Sequence, residues 1–282
     1  MDIKLIKELR EKTGAGMANC KEALIETNGD IEKAIEYLRK KGAATAAKRA
    51  EKVTKEGAVK IAVSNDKKSA AIIELNCETD FVSKGEKFQK LSEKISEICL
   101  KYKINDVDTL LKAKDENNLT VKDNIDDLIA SVGEKVELRR VKFVEISDGF
   151  VSSYLHFGSK LGGLVVVRGQ YTEEAYNLGK QISMQVVAMN PMSINRDGIP
   201  SEILEKEKEI YKTVAKGENK PEHIIEKIVE NKLEKFYQEN CLLEQEFINE
   251  ENTTVGDLIK RFEKESGNKF EVTEIVRFQL GM

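Results

Sequence analysis

Apolar residues recur at helical spacing along the first 42 residues of the chain. This pattern predicts three short amphipathic helices, over 3–12, 18–26 and 30–40. Gly14 and Gly16 interrupt the pattern after the first helix, and Gly29 interrupts it after the second. Asp30 is a favourable N-cap for the third helix. The segment is therefore expected to form a small helical module with its own core.

From Gly57 onward the chain contains two related halves. GAVKIAVSNDKKSAAIIEL begins at Gly57 and GFVSSYLHFGSKLGGLVVV begins 92 residues later, at Gly149, and each stretch has the pattern of a β-hairpin. NLTVKDNIDDLIASVGEKVELRRVKFV from Asn118 matches NTTVGDLIKRFEKESGNKFEVTEIVRF from Asn252 at a spacing of 134, across a helix and a strand. Each half is predicted to contain a strand hairpin, helices and a third strand.

The two halves differ by two insertions. The best match between their first helices pairs Leu91 with Leu178, a spacing of 87, so half one has about five extra residues, in NCETDFVSKGEK. Half two has about 47 extra residues, mostly in 201–237, where the apolar pattern predicts a helical hairpin and a short antiparallel coiled coil. Because folding alone explains the shared elements, we expect function in the insertions.

The predicted fold class is α+β with antiparallel sheets, and the three-helix module resembles a ubiquitin-associated (UBA-like) fold. The stretch AATAAKRAEKVTKEG suggests a basic helical linker, for which a solvated face and a docking patch are both open interpretations. The predicted boundaries are a UBA-like module over 1–42, a linker over 43–56, half one with its TDFV loop over 57–145, and half two over 146–282.

Composition narrows the class of partner. The 46 basic and 50 acidic residues leave a formal charge of −4, whereas nucleic-acid-binding domains usually have a basic excess. The first residues lack the apolar core of a signal peptide, and no apolar run approaches membrane-spanning length. We therefore expect a cytoplasmic protein with a protein partner, no direct nucleic-acid contact and no membrane contact. The four cysteines are far apart and are expected to be buried thiols.

The sequence offers no catalytic or metal-binding motif. It contains two histidines, no G-x-S-x-G, no G-x-x-x-x-G-K-[ST] and no Cys/His cluster at metal-ligand spacing. TGAGM at Thr13–Met17 lacks the third glycine and the preceding strand of a phosphate-binding loop, so a turn between helices fits better. We predict no enzyme activity, no metal and no cofactor.

Several long motifs match one known family in their order along the chain. LREKTGAGMANCKEAL from Leu9, NGDIEKAIEYLRKKG from Asn28 and NCETDFV from Asn76 resemble the elongation factor Ts family. SYLHFGSKLGGLV from Ser153, LLEQEF and TVGDLI extend the resemblance over nearly all 282 residues. A single TDF tripeptide would carry no weight, but this ordered set is specific.

The resemblance implies a guanine nucleotide exchange factor that binds elongation factor Tu with GDP bound, or free of nucleotide. It implies that the family's Asp and Phe, here Asp80 and Phe81, reach the GTPase domain near the magnesium and phosphate site. The ring then displaces helices that position the cation, so that GDP leaves and GTP later expels the factor. The implied exchange residues are Thr79, Asp80, Phe81 and Val82.

Other positions are implied with alternatives open. The implied docking residues are Arg10, Met17, Lys21, Lys48, Arg49 and His156, although surface charge, core packing or a structural histidine would also account for them. Ala18 stands where the family commonly has a second methionine. A homodimer in a complex of two copies of each partner stays open. The rival functions are a UBA-like adaptor without exchange activity and an inactive paralogue or storage-type structural protein.

Overall fold

The computed structural model of the chain describes residues 2–217 and 221–282. Three helices form the N-terminal module: α1 (Ile3–Thr13), α2 (Met17–Glu26) and α3 (Ile31–Arg49). Apolar side chains from all three helices form its core, among them Leu9, Leu24 and Leu38. The side chain of Asp30 caps α3 by accepting a hydrogen bond from the Lys33 amide, as predicted. The three predicted helices are thus present, while the UBA-like assignment stays a prediction.

Helix α3 does not end near Lys40, and the predicted linker is not a separate helix. Helix α3 continues to Arg49, and the chain is irregular from there to the first strand. Gly42 lies inside this helix, at a point where a Cβ would lie 3.0 Å from the Cβ of Ala130. The glycine allows close packing between helices, and Ala46 packs against the core of half one.

Half one contains three strands and four helices. They are β1 (Glu56–Val63), β2 (Ser69–Cys77), α4 (Asp80–Lys84), α5 (Glu86–Tyr102), α6 (Val107–Lys112), α7 (Val121–Val132) and β3 (Val136–Glu145). The antiparallel sheet has the order β1-β2-β3. Helices α5 and α7 cover one face of the sheet and contribute Phe88, Ile95 and Ile125 to the buried core.

Half two repeats this plan with a longer helical segment. It contains β4 (Gly149–Leu155), β5 (Leu161–Arg168), α8 (Glu173–Met189), α9 (Ser201–Gly217), α10 (Glu222–Asn240), α11 (Val255–Ser266) and β6 (Glu271–Gln279). Its antiparallel sheet has the order β4-β5-β6. Apolar side chains of α9 and α10 pack together in two clusters, which include Leu204 with Phe236 and Ala215 with Ile225. The predicted helical hairpin is present, although 218–220 lie outside the described residues and the coiled coil stays a prediction.

The internal duplication extends to fine detail. The β2–β3 pairing shifts register between Glu74 and Leu75, and the β5–β6 pairing shifts at the equivalent residues, 92 positions later. Helices α5 and α8 each have 17 residues and each end in a left-handed residue, Lys103 and Asn190. The alignment read from the sequence is therefore correct on both sides of the insertions.

The two sheets pack against each other through the faces that the helices leave free. Val59, Ile72, Val151 and Leu164 contribute to this shared core. Equivalent hydrogen bonds cross between the halves: the Val59 amide donates to the Ser159 carbonyl at 2.7 Å, and the Val151 amide donates to the Lys67 carbonyl at 2.6 Å. The two halves are thus related by an approximate twofold symmetry. The hairpin turn of each half bonds to the first strand of the other half.

None of the helices in the described part of the chain combines the length and apolar character needed to span a bilayer. Cys20, Cys77, Cys99 and Cys241 are free and buried, as predicted. Burial raises the pKa of the Cys77 and Cys99 thiols to about 12.

Candidate protein-interaction site

Helix α4 accounts for the five residues that half two lacks. In half two, Thr172 leads directly into α8, whereas in half one Asp80–Lys84 stand between β2 and α5. The sequence predicted an exposed loop here, but the segment is a short helix. Its helical spacing was invisible in the sequence, because five residues are too few to show a period.

The side chains of α4 divide into an inward and an outward set. Val82 packs against the core of half one, and Ser83 is buried. Phe81 points away from the core and is 86% exposed. Aromatic rings of this size are more often buried, where they contribute to core packing. The Lys84 ammonium lies 2.7 Å from the Asp80 carboxylate and holds the pKa of Asp80 below its usual value. The helix thus presents an apolar ring beside a carboxylate.

A network of side chains, which we name the α4 anchor, fixes the residue before this helix. It consists of Thr79, Glu134, Glu78, Arg49 and the backbone of Lys135. The Thr79 amide donates to Glu134 at 3.0 Å, and the Thr79 hydroxyl donates to the same carboxylate at 2.8 Å. Glu78 accepts from the Lys135 amide at 2.6 Å and from the Arg49 guanidinium at 2.7 Å. These two donors hold the pKa of Glu78 below its usual value.

The N-terminal module lies against the same part of half one. The Gly14 carbonyl, in the turn between α1 and α2, accepts from Lys87 of α5 at 2.7 Å and from Ser131 of α7 at 3.0 Å. This turn is therefore close to the start of α5, directly after α4. Of the predicted docking residues on α1 and α2, Met17 is 41% exposed, and Arg10 and Lys21 are also exposed.

The two basic residues at the end of α3 behave differently. Lys48 is exposed and available to a partner. Arg49 is half-buried and is already paired with Glu78 inside the chain. The structure therefore gives Arg49 an internal role in the α4 anchor, in addition to the docking role that the resemblance implies.

The turn between β4 and β5 carries His156 and an aromatic residue that the sequence analysis did not single out. His156 is exposed and its Nδ1 lies 3.0 Å from the Tyr154 hydroxyl. Phe157, beside it, is 97% exposed. A bulky apolar residue between His156 and Gly158 in a hairpin turn, where little chain is available to cover it, was the signal in the sequence.

This turn lies at the same end of the molecule as α4. Lys160 pairs with Glu56 at 2.8 Å. Glu56 lies opposite Cys77 in the sheet, and Cys77 precedes Thr79 by two residues. The ion pair thus connects the β4–β5 turn, which carries Phe157, to the end of the sheet from which the chain enters α4. The structure brings the TDFV residues, the α1–α2 turn and the β4–β5 turn to the same end of half one.

Comparison with known proteins identifies the family of the chain. The family model described as elongation factor TS matches residues 78–282. The chain belongs to the elongation factor Ts family. Elongation factor Ts of Halothermothrix orenii is 45% identical over 283 residues, which cover 100% of this chain and 92% of that protein. The protein of the same name from Prosthecochloris aestuarii is 44% identical and covers 98% of this chain and 97% of its own length.

A relative from Clostridium perfringens, also named elongation factor Ts, is 41% identical over 99% of this chain and 92% of its own length. The relatives therefore cover the N-terminal module, which lies outside the match to the family model. Membership of this family supports a role in translation elongation for the chain.

Proposed function

We propose that the chain is a guanine nucleotide exchange factor that binds elongation factor Tu with GDP bound and accelerates GDP release. The observation that carries the proposal is Phe81. Its ring is 86% exposed on a helix that half two of the same duplicated core does without. Folding does not require this ring on the surface, and family membership supports a role in translation elongation.

The proposed mechanism is mechanical and involves no covalent step. Phe81 inserts among the helices of the GTPase that position magnesium and the phosphate groups, and Asp80 accompanies it. Displacement of those helices removes contacts from a site whose affinity depends on an ordered cation and phosphate loop, so GDP leaves faster. Asp80 is available once it exchanges its exposed partner Lys84 for a group on the GTPase, because exposed ion pairs contribute little stability.

Thermodynamic linkage completes the proposed cycle. If the factor weakens GDP binding, GDP weakens binding of the factor to the same degree. Incoming GTP then displaces the factor from elongation factor Tu, and the factor itself is unchanged. Exchange is therefore accelerated in both directions and is driven only by nucleotide concentrations.

The wider docking surface is proposed to include Arg10, Met17, Lys21, Lys48, Arg49 and His156. We expect no direct nucleic-acid contact, no membrane contact and a cytoplasmic location. A complex with two copies of each protein remains part of the proposal to be tested by measuring the mass of the complex in solution.

The decisive experiment follows release of a fluorescent GDP analogue from the cognate elongation factor Tu by stopped flow, at fixed magnesium, with increasing concentrations of this protein. Acceleration by orders of magnitude is expected. Absence of acceleration would refute the exchange function and favour the adaptor without exchange activity.

Phe81→Ala tests the wedge itself. We expect an intact fold and retained binding, but loss of most of the maximal release rate, because the docking surface remains while the inserting ring is gone. Ile210→Ala on α9 is the matched control, since Ile210 is also an exposed apolar side chain, at 52%, but lies on the helical hairpin. A normal release rate with Phe81→Ala would refute the wedge.

A further inference from the structure

We propose that Glu134 is a positioning residue for exchange, which acts by holding Thr79 and thereby fixing the direction of Phe81 before a partner binds. This inference rests on the proposed function, in that its kinetic test needs exchange activity. Glu134 does not lie on α4 and lies 55 residues from Thr79 in the chain.

The hydrogen bonding of Thr79 is unusual for its position. Thr79 is the N-cap of α4, where a threonine hydroxyl commonly accepts a hydrogen bond from an amide of the first turn. Here its side chain makes no capping bond and instead donates to Glu134. The same carboxylate also accepts from the Thr79 amide. One glutamate thus fixes both the backbone and the side chain of the residue that precedes Asp80.

A second attachment reinforces the first. Glu78 bonds the Lys135 amide and Arg49, so two consecutive residues before α4 are bonded to two consecutive residues after α7. Bonds to a carboxylate are stronger than bonds between neutral groups. The α4 anchor therefore joins the start of α4 to the turn between α7 and β3 and to the end of α3.

Half two shows that the core folds without such an anchor. The positions equivalent to Thr79 and Glu134 are Tyr171 and Asn268, because the two spacings are 92 and 134. The Tyr171 hydroxyl bonds to Glu173, and the Asn268 amide bonds to Ser266. Helices α7 and α11 nevertheless end alike, at the left-handed glycines Gly133 and Gly267. The anchor occurs in the half that carries α4.

A short helix needs this support. A single turn is not stable by itself, because fixing its backbone costs more conformational entropy than its few hydrogen bonds return. Val82 attaches one side of α4 to the core, while the Phe81 ring on the other side is 86% exposed and has little packing to set its direction. With Thr79 fixed, the ring is oriented before binding, so the complex does not lose that entropy at the moment of insertion.

The kinetic test separates the maximal GDP release rate from the factor concentration that gives half of it. Glu134→Ala is expected to lower the maximal rate by roughly tenfold, which corresponds to the loss of bonds to a charged group. The half-saturating concentration should stay within about twofold, because the docking surface is unchanged. Glu116→Ala, at an exposed glutamate in the turn after α6, is the control and should match the wild type.

Substitutions at Thr79 keep the test independent of any general damage by Glu134→Ala. Thr79→Ser retains both donors and should therefore keep a higher maximal rate than a Thr79 variant that lacks the hydroxyl. Thr79→Val retains the amide donor but removes the hydroxyl, and should give an intermediate rate. Added to Glu134→Ala, Thr79→Val should have no further effect, because the bond that it removes is already absent. A wild-type maximal rate with Glu134→Ala would overturn the proposal.

Amide hydrogen exchange of the free protein supplies a readout that does not need elongation factor Tu. Glu134→Ala should speed exchange in the segment 79–84 and leave α5 and β2 unchanged. Unchanged exchange in 79–84 would overturn the positioning role. If the wild type fails to accelerate GDP release, the proposed function fails, while this measurement still decides whether Glu134 orders α4.

Discussion

Half one and half two have the same fold within one chain, but different residues fill the core between helix and sheet. In half one, Ala58 of β1 lies in the core with Phe88 of α5. In half two the equivalent positions hold Phe150 of β4 and Ala175 of α8. The large and small side chains have exchanged sides while the sheet register and helix lengths are kept. The fold therefore constrains the total volume between helix and sheet more than it constrains which element supplies it.

The insertions differ in another way. In half one, five residues form α4 and require the α4 anchor, whereas half two continues from strand to helix without either. In half two the long insertion forms α9 and α10, which bury apolar residues mainly against each other. Neither addition is needed by the shared core. The difference between the halves thus separates what folding requires from what we attribute to binding and exchange.

The largest effect is expected when half one is made to resemble half two at this point. Deleting residues 80–84 should abolish accelerated GDP release, since it removes Asp80 and Phe81 together. The fold should survive, because half two makes the same connection without these residues. Stopped-flow release and thermal unfolding measured on the same protein test both claims. Loss of cooperative unfolding would show that α4 is part of the core and would break the comparison.

The exchanged aromatic residues give the next largest effect. Phe150 is fully buried and has edge contacts with Tyr176 and Phe270. Phe150→Ala should lower the free energy of unfolding by about 3–5 kcal/mol, through lost burial and the cavity left behind. Adding Ala175→Phe, which copies the arrangement of half one, should recover part of that loss. Urea unfolding measures both variants, and no recovery in the double variant would show that the exchange needs further adjustments.

Much of this architecture could be predicted from the sequence, because strands and helices of ordinary length show their period. Both strand hairpins and the duplicated helix and strand were predicted within a few residues. The end of α3 was not, because Gly42 is a helix terminator by propensity and a packing residue in this tertiary context. Tertiary packing decides such cases, and a single sequence does not reveal which neighbour approaches.

The candidate site was predictable to a smaller extent. The extra segment and its Asp80-Phe81 pair emerged from the comparison of the halves and from the family resemblance. The partners that orient the segment did not, because Thr79 and Glu134 are 55 residues apart and glutamates are abundant in this chain. Hydrogen bonds between distant positions depend on the fold and leave no periodic signal. Family resemblance identified the exposed ring, and only the structure identified its support.

The turns before α7 and α11 each carry an acidic residue, and the two residues differ in burial. Substituting the more buried one is expected to have a smaller effect on stability than Phe150→Ala. The Asp115 side chain is almost fully buried, and burial by itself would raise its pKa. Hydrogen bonds from Lys94, Asn124 and two backbone amides stabilise the carboxylate more strongly and lower the pKa to about 2. In half two, the Glu250 side chain is 40% exposed and pairs with Arg261 at the surface. Asp115→Asn should lower the free energy of unfolding by about 2 kcal/mol at pH 7, because the pKa of Asp115 is lowered from an ordinary value of 3.8 to about 2.

The sign of the pH dependence follows from the lowered pKa. The contribution of Asp115 is fully present above about pH 4 and is lost as the pH falls toward 2. The stability difference between the wild type and Asp115→Asn should therefore shrink across this window in urea unfolding at several pH values. Glu250→Gln is the matched control and should have little effect, since its ion pair is exposed. A pH-independent difference would assign the cost of Asp115→Asn to packing.

The smallest effect concerns the two hairpin turns. Asn65 occupies the turn of half one at the position where half two has Phe157, which is 97% exposed. Phe157→Asn should leave the free energy of unfolding within about 0.5 kcal/mol of the wild type, because the ring has so little burial to lose. If this turn docks on the partner beside His156, the half-saturating concentration in GDP release should rise about threefold with no change in the maximal rate. That pattern is the reverse of the one expected for Glu134→Ala, so the two variants measured together separate docking from positioning. An unchanged half-saturating concentration would remove the β4–β5 turn from the docking surface and leave α4 as the contact that distinguishes the halves.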